Sequence, residues 1–195
     1  MAAERTRLAG DLHATVLPGL RRAIADAEAG GDPDILARRL RTVDLELERL
    51  MADRWPVVLE AFGLVPSLEE LAEQIEADAA LSVVLEIGHV AAERPPRAVE
   101  RAAWRVAQVA LDNAVRHADA SAISIVIATD PRRVRLAVAD DGRGFDPVAP
   151  GGVRAGGRGL ADANRRALAI GATVGVESRS GGGTTVAFEW VARRA

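Results

Sequence analysis

The chain has no cysteine and no tyrosine, and only three tryptophans and three phenylalanines among its 195 residues. Without cysteine there is no disulfide framework, no thiolate metal site and no thiol nucleophile. With aromatics at 3% of residues and hydrophobic residues at 49%, the core has to be built from Ala, Leu, Val and Ile. No run approaches the roughly 18 apolar residues of a membrane-spanning helix. The opening Met1-Ala-Ala-Glu-Arg-Thr-Arg lacks the apolar stretch of a secretory signal. A cytoplasmic chain with no membrane segment is therefore expected. A net charge of −3 gives no general pull toward nucleic acid, and no such partner is expected. The length suits one ordinary domain, or a compact domain with a small appendage.

Two helical stretches come first. Residues 4–28 place Leu8, Leu12, Val16, Leu20 and Ile24 at four-residue spacing, one face of a helix that Pro18 is expected to interrupt. Gly30-Gly31 ends the pattern, and Asp32-Pro33 reads as an N-cap followed by a first-turn proline. In the second stretch Leu36, Leu40, Val43, Leu47 and Leu50 form a heptad seam. Two antiparallel helices of this length cannot bury both apolar faces alone. Pairing with a second copy as a four-helix bundle, or packing on the chain's own domain, are the two solutions.

The rest alternates differently. Trp55-Pro56 and 63–66 read as a linker, and Ser67 with Glu70 as a capping box opening a helix to residue 80. Residues 81–87 suit a strand. Pro95-Pro96 precede a long amphipathic helix over 97–117, and 123–128 with 134–139 read as a hairpin. A Gly- and Pro-rich loop fills 142–158, a helix covers 159–170, and strands at 173–178 and 184–191 flank Ser180-Gly-Gly-Gly183. The expected layout is a helical hairpin over 1–55, a linker over 56–66, and an α+β domain over 67–195, with helices layered on a mostly antiparallel sheet.

Several segments carry candidate chemistry, each with a plainer reading beside it. In Asp140-Asp-Gly142-Arg-Gly144 a strand-end carboxylate can accept from an exocyclic amine such as that of adenine, and glycines let backbone approach a ligand. An Asp-Gly pair is also simply a turn. The loop after it is expected to be a mobile lid, or only a surface loop. Gly157-Arg158-Gly159-Leu160 leads into a helix whose free N–H groups suit phosphate. Asn113 is a candidate oxygen ligand for Mg²⁺ shared with phosphates. Arg116 and His117, one turn on, can touch those phosphates or merely suit the helix dipole. His13 is either a solvated helix histidine or a nitrogen nucleophile. The clusters Arg38-Arg39-Arg41 and Arg132-Arg133-Arg135 read as solvated faces.

In this order the segments resemble the catalytic core of two-component sensor histidine kinases, in the subfamily that includes nitrate/nitrite sensors, within the GHKL ATPase superfamily. The resemblance covers essentially the whole chain. Glu4-Arg-Thr-Arg-Leu-Ala-Gly-Asp-Leu-His13 is similar to the phosphoacceptor helix, and Arg105 through Ala118 to the asparagine box. Asp140-Asp-Gly-Arg-Gly-Phe-Asp146 and Gly157-Arg-Gly-Leu160 are similar to the two glycine boxes, and Gly181-Gly-Gly-Thr184 to the closing hairpin, whose threonine helps hold adenine. The resemblance implies a dimeric hairpin, a Bergerat-type α/β sandwich, ATP and Mg²⁺ as cofactors, and phosphoryl transfer from ATP to His13 and then to an aspartate of a response regulator. A full-length sensor of this kind normally carries an input domain or membrane spans as well.

The departures from that pattern lie at the chemistry. The acidic residue expected directly after the phosphoacceptor histidine is Ala14, and the subfamily's phosphatase glutamine is Pro18, whose spacing from His13 is more like the larger classical subfamily. The glutamate expected four residues before Asn113 is Val109; Asp112 projects from another helix face. Phosphoryl transfer depends on positioning and charge stabilisation, so these losses weigh on transfer more than on ATP binding. A degenerate, nucleotide-responsive dimerisation module is the alternative. An anti-sigma-factor-type serine kinase shares the sandwich but generally lacks the hairpin.

Overall fold

The computed structural model describes residues 16–52, 57–79, 81–146 and 157–193. His13, Ala14, the linker residues Trp55-Pro56 and loop residues 147–156 lie outside the described residues. The chain divides into two compact units, Met1–Trp55 and Pro56–Ala195.

In the first unit α1 (Leu17–Glu28) and α2 (Pro33–Ala52) form the hairpin. Pro18 stands in the first turn of α1, where a missing N–H costs no helical bond. Gly30, at φ +68°, turns the chain, and the Asp32 carboxylate accepts from Asp34 N at 2.9 Å to cap α2. Gly19 lets the helices touch: a Cβ there would lie 2.7 Å from Val43 Cγ2. Ala23 and Val43 are buried, while Leu20, Ile24, Ile35 and Leu40 remain exposed.

The second unit opens with helix where a linker is expected: α3 (Val57–Phe62) and α4 (Leu64–Ala79). Burial of Leu59, Leu64 and Leu68 moves the start of helix upstream, and Pro66 fits because it falls in the first turn of α4. Ser67 is therefore interior rather than an N-cap; its buried hydroxyl donates back to Gly63 O at 2.9 Å. The end of α3 is closed by Arg94, whose Nη2 donates to Leu59 O at 2.8 Å and pairs with the buried Glu100 carboxylate at 2.6 Å. Arg101 adds a 2.8 Å bond to Glu60, which holds the Glu60 carboxyl below its ordinary range.

The sheet runs β1-β2-β3-β5-β4, from β1 (Ser82–Val90), β2 (Ala122–Asp130), β3 (Arg133–Asp140), β4 (Thr173–Ser178) and β5 (Thr184–Val191). Only β1–β2 is parallel, so a crossover must join them. That crossover is α5 (Arg97–His117). Ile123, Ile125 and Ile127 of β2, Val134, Leu136 and Val138 of β3, and Val186, Phe188 and Trp190 of β5 alternate into the core. Strands β3 and β5 pack against α5, whose Ala103, Val106, Ala107 and Leu111 are buried. The last helix, α6 (Gly157–Ala169), lies against α5 and β4, with Ala163 and Ala167 buried. Small residues on both helices allow this close layer. Because β2 follows α5 at once, and Ile123 pairs with Asp140, the end of α5 arrives beside the end of β3.

Candidate functional site

One cleft of about 560 Å³, counting its open mouth, lies under the end of α5 and over the ends of β3 and β5. Of the residues singled out by sequence, it gathers Asn113, His117, Asp140, Gly144, Leu160 and Thr184 on its walls. Arg116, Gly142 and Gly159 are near it in sequence but not on the lining. Arg116 instead pairs with Asp112 at 2.6 Å, one helical turn back. Gly157 opens α6, and the side chain of Arg158 is outside what is described. Residues not anticipated complete the lining: Ala110, Ala118, Val138, Phe145, Val176 and Val186 supply an apolar slot, and Arg143 joins them. Alternation is the signal that places the valines there, since they are core-face residues at strand ends. An apolar slot with a few convergent polar groups suits a flat ring carrying a polar tail.

The glycines of the Asp140–Phe145 turn allow close approaches of backbone to backbone. A Cβ at Gly142 would lie 2.3 Å from Ala118 O, and one at Gly144, φ +55°, would lie 2.0 Å from Arg179 O. Gly183, at φ +72°, approaches Asp140 O just as closely, at 2.0 Å. These approaches permit a set of ties from the turn to the β4–β5 hairpin and to the end of α5. Gly183 N donates to Gly142 O at 2.8 Å, Gly181 N to Arg143 O at 2.6 Å, and Arg143 N to Ala118 O at 2.7 Å. Gly142 N donates to Asp140 Oδ1 at 3.0 Å, setting the carboxylate on the cleft wall.

The neighbouring Asp141 points the other way and was not singled out by the sequence. Its carboxylate accepts from Ser121 Oγ at 2.6 Å, Ser121 N at 2.8 Å and Ala122 N at 2.9 Å. Led by the Ser121 hydroxyl, these bonds lower its pKa from 3.8 to about 2. Asp141 thus fastens the start of β2 to the end of β3.

Val109 of α5, off the lining, is buried, and a Cβ at Gly159 would come within 3.3 Å of its Cγ1. The place of a glutamate in the resembled pattern is here a packing contact between α5 and α6. Among the described residues no group of three or more His, Cys, Asp and Glu side chains is placed to hold a metal ion. No helix among the described residues is long and apolar enough to cross a membrane.

Comparison with known proteins agrees with this architecture. Residues 98–194 match the family described as histidine kinase-, DNA gyrase B-, and HSP90-like ATPase. Sensor histidine kinase LiaS of Bacillus subtilis is 30% identical over 94% of this chain and 52% of its own length. Sensor histidine kinase MctS of Rhizobium johnstonii is 29% identical over 95% of this chain and 42% of its own. The chain thus spans about half the length of the curated relatives it matches. In fold it is similar to the histidine kinase domain of the Erythrobacter litoralis EL346 blue-light activated kinase, with a TM-score of 0.53 at 22% identity over 95% of this chain and 91% of that one. It is similar also to Acinetobacter baumannii histidine kinase AdeS, with a TM-score of 0.56 at 16% identity over 92% and 96%. A helical hairpin, a helix-covered mixed sheet, a cleft at the end of the long central helix and these relatives together place the chain in the GHKL superfamily, as a catalytic core of the histidine kinase type.

Proposed function

We propose that this chain binds ATP in the cleft and, as the core of a two-component sensor, transfers its γ-phosphoryl group to His13 and then to a response-regulator aspartate. The observation that carries the reading is the convergence of Asp140, Thr184, Asn113 and His117 on one apolar slot. Adenine fits between the valines, with its amine toward Asp140. The triphosphate then runs toward the end of α5, where Asn113 offers an oxygen to Mg²⁺ and His117 a donor to phosphate; Gly157, Arg158 and Gly159, at the start of α6, are the further phosphate candidates. Mg²⁺ when bound neutralises phosphate charge. In the transfer a nitrogen of His13 bonds to the γ-phosphorus, the bridging P–O bond breaks, and ADP leaves. A homodimer through the hairpin accounts for the exposure of Leu20, Ile24, Ile35 and Leu40, which a four-helix bundle would cover.

The test is incubation of the chain with γ-labelled ATP and Mg²⁺. Acid-labile label is expected on the wild type and absent from His13→Ala. An unlabelled wild type, or label that survives His13→Ala, rejects the kinase reading. The buried Val109 favours a second reading, a nucleotide-binding dimerisation module with lost transfer. It expects ATP binding with no phosphohistidine. Stable phosphate on a partner's serine would point instead to the anti-sigma-factor type.

A further inference from the structure

Ser178, Thr184 and Asp140 occupy one row across the sheet: Ser178 pairs with Thr184 across β4 and β5, and Thr184 with Asp140 across β5 and β3. Directly paired residues carry their side chains on the same face about 5 Å apart. Thr184 and Asp140 line the cleft; Ser178 stands behind Thr184, off the lining. Its hydroxyl makes three contacts. It accepts from Phe145 N at 2.8 Å, donates to Gly183 O at 3.0 Å, and meets Thr184 Oγ1 at 3.0 Å.

A hydroxyl has one proton and two lone pairs. The Ser178 proton is committed to the Gly183 carbonyl, which can only accept. The Phe145 amide takes one Ser178 lone pair. The remaining contact therefore has one polarity: Thr184 donates its proton to Ser178. What Thr184 then offers the cleft is lone pairs, beside a carboxylate that also only accepts. We propose that Ser178 is a positioning residue that fixes Thr184 as an acceptor and so makes this wall select a base with an exocyclic amine over one with a carbonyl at that place. The assignment rests on the ATP site proposed above and names what decides its base selectivity. An amine supplies two N–H donors to two acceptors. A carbonyl there would face lone pairs only, and a site whose buried polar groups are left unpaired rejects such an analogue.

The experiment is titration of the full chain with ATP and with inosine triphosphate, which differ at that position by amine against carbonyl. Wild type is expected to prefer ATP. In Ser178→Ala the Thr184 hydroxyl is free to turn and donate, so the ATP-to-inosine-triphosphate affinity ratio is expected to fall on the order of fivefold, about one neutral hydrogen bond. Thr184→Val, which removes the hydroxyl with little change in shape, is expected to lower ATP affinity and the ratio, and Ser178→Thr to retain the wild-type ratio. Equal weakening of both nucleotides in Ser178→Ala, or an unchanged ratio beside normal ATP binding, overturns the role of Ser178 alone. A wild type that binds neither nucleotide overturns the ATP site with it.

Discussion

The cleft wall built from β3, β5 and the Asp140–Phe145 turn is set by backbone: Gly142, Gly144 and Gly183 meet other main-chain atoms, and Gly183 N and Gly181 N tie the turn to the hairpin. The wall built from the end of α5 is set by side chains on one helix, Asn113 half-buried and His117 exposed. The backbone ties of the first wall place Asp140 and Thr184, whereas the second wall rests on side chains carried by a single helix. Two of the departures from the resembled pattern, Ala14 and Val109, bear on the proposed transfer rather than on the proposed base-holding wall. On the proposed function, recognition and transfer are therefore expected to be separable, each broken without the other.

Breaking the backbone wall has the largest expected effect. Gly183→Ala puts a Cβ at 2.0 Å from Asp140 O in a left-handed conformation. A cost of roughly 3 kcal/mol or more is expected from clash and strain together. Loss of ATP binding, with a lowered Tm, should be seen by titration and thermal unfolding; Gly181→Ala, also at positive φ but in open space, should weaken binding much less. The proposed transfer, rather than the base-holding wall, is sharpened by Val109→Glu with Ala14→Asp. Restored carboxylates are expected to raise phosphohistidine labelling on the order of 10²-fold, the lower range for general-base help, with ATP affinity changed little. Equal labelling before and after would mean that the missing carboxylates do not limit transfer.

Asp140→Asn acts between these extremes. It keeps the shape of the wall and the acceptor toward Gly142 N but removes the charge, so ATP affinity should fall roughly 10-fold to 100-fold, the range of a hydrogen bond to a charged group. A Tm shift of only a few degrees would keep the effect on the ligand side of the comparison.

Much of this could be read from residue order alone. The 97–117 helix, the β2–β3 hairpin and the closing strands follow from period and turn residues, and Asp32-Pro33 marks a helix start that the fold uses. What was not legible depends on distant partners. Helix α3 forms over a stretch that reads as a linker because Arg94 and Glu100, far along the chain, close its end. Ser67 looks like a cap until Leu64 is seen to be buried. The glycine boxes announce close approach but not to what: here it is the Ala118, Arg179 and Asp140 carbonyls. Ser178 carries no local signal for the cleft, since its partners are Gly183 and Thr184 across the hairpin and Phe145 from a distant turn.

The smallest effect comes from the residue beside Asp140 that faces away from the cleft. Asp141 accepts three bonds from Ser121 and Ala122, and its pKa falls from 3.8 to about 2 on folding. A depressed folded-state pKa means the unfolded chain binds the proton first. The carboxylate's contribution is therefore whole above pH 3.8 and is lost as the pH drops toward 2. In Asp141→Asn, thermal unfolding should show a flatter dependence on pH between those values and a shallow, pH-independent loss above them. Because Asp141 ties β2 to β3 on the outer side of the turn, ATP affinity at neutral pH should barely move. Should it fall as far as in Asp140→Asn, the backbone wall would depend on this outer tie, and its rigidity could no longer be credited to the glycine approaches alone.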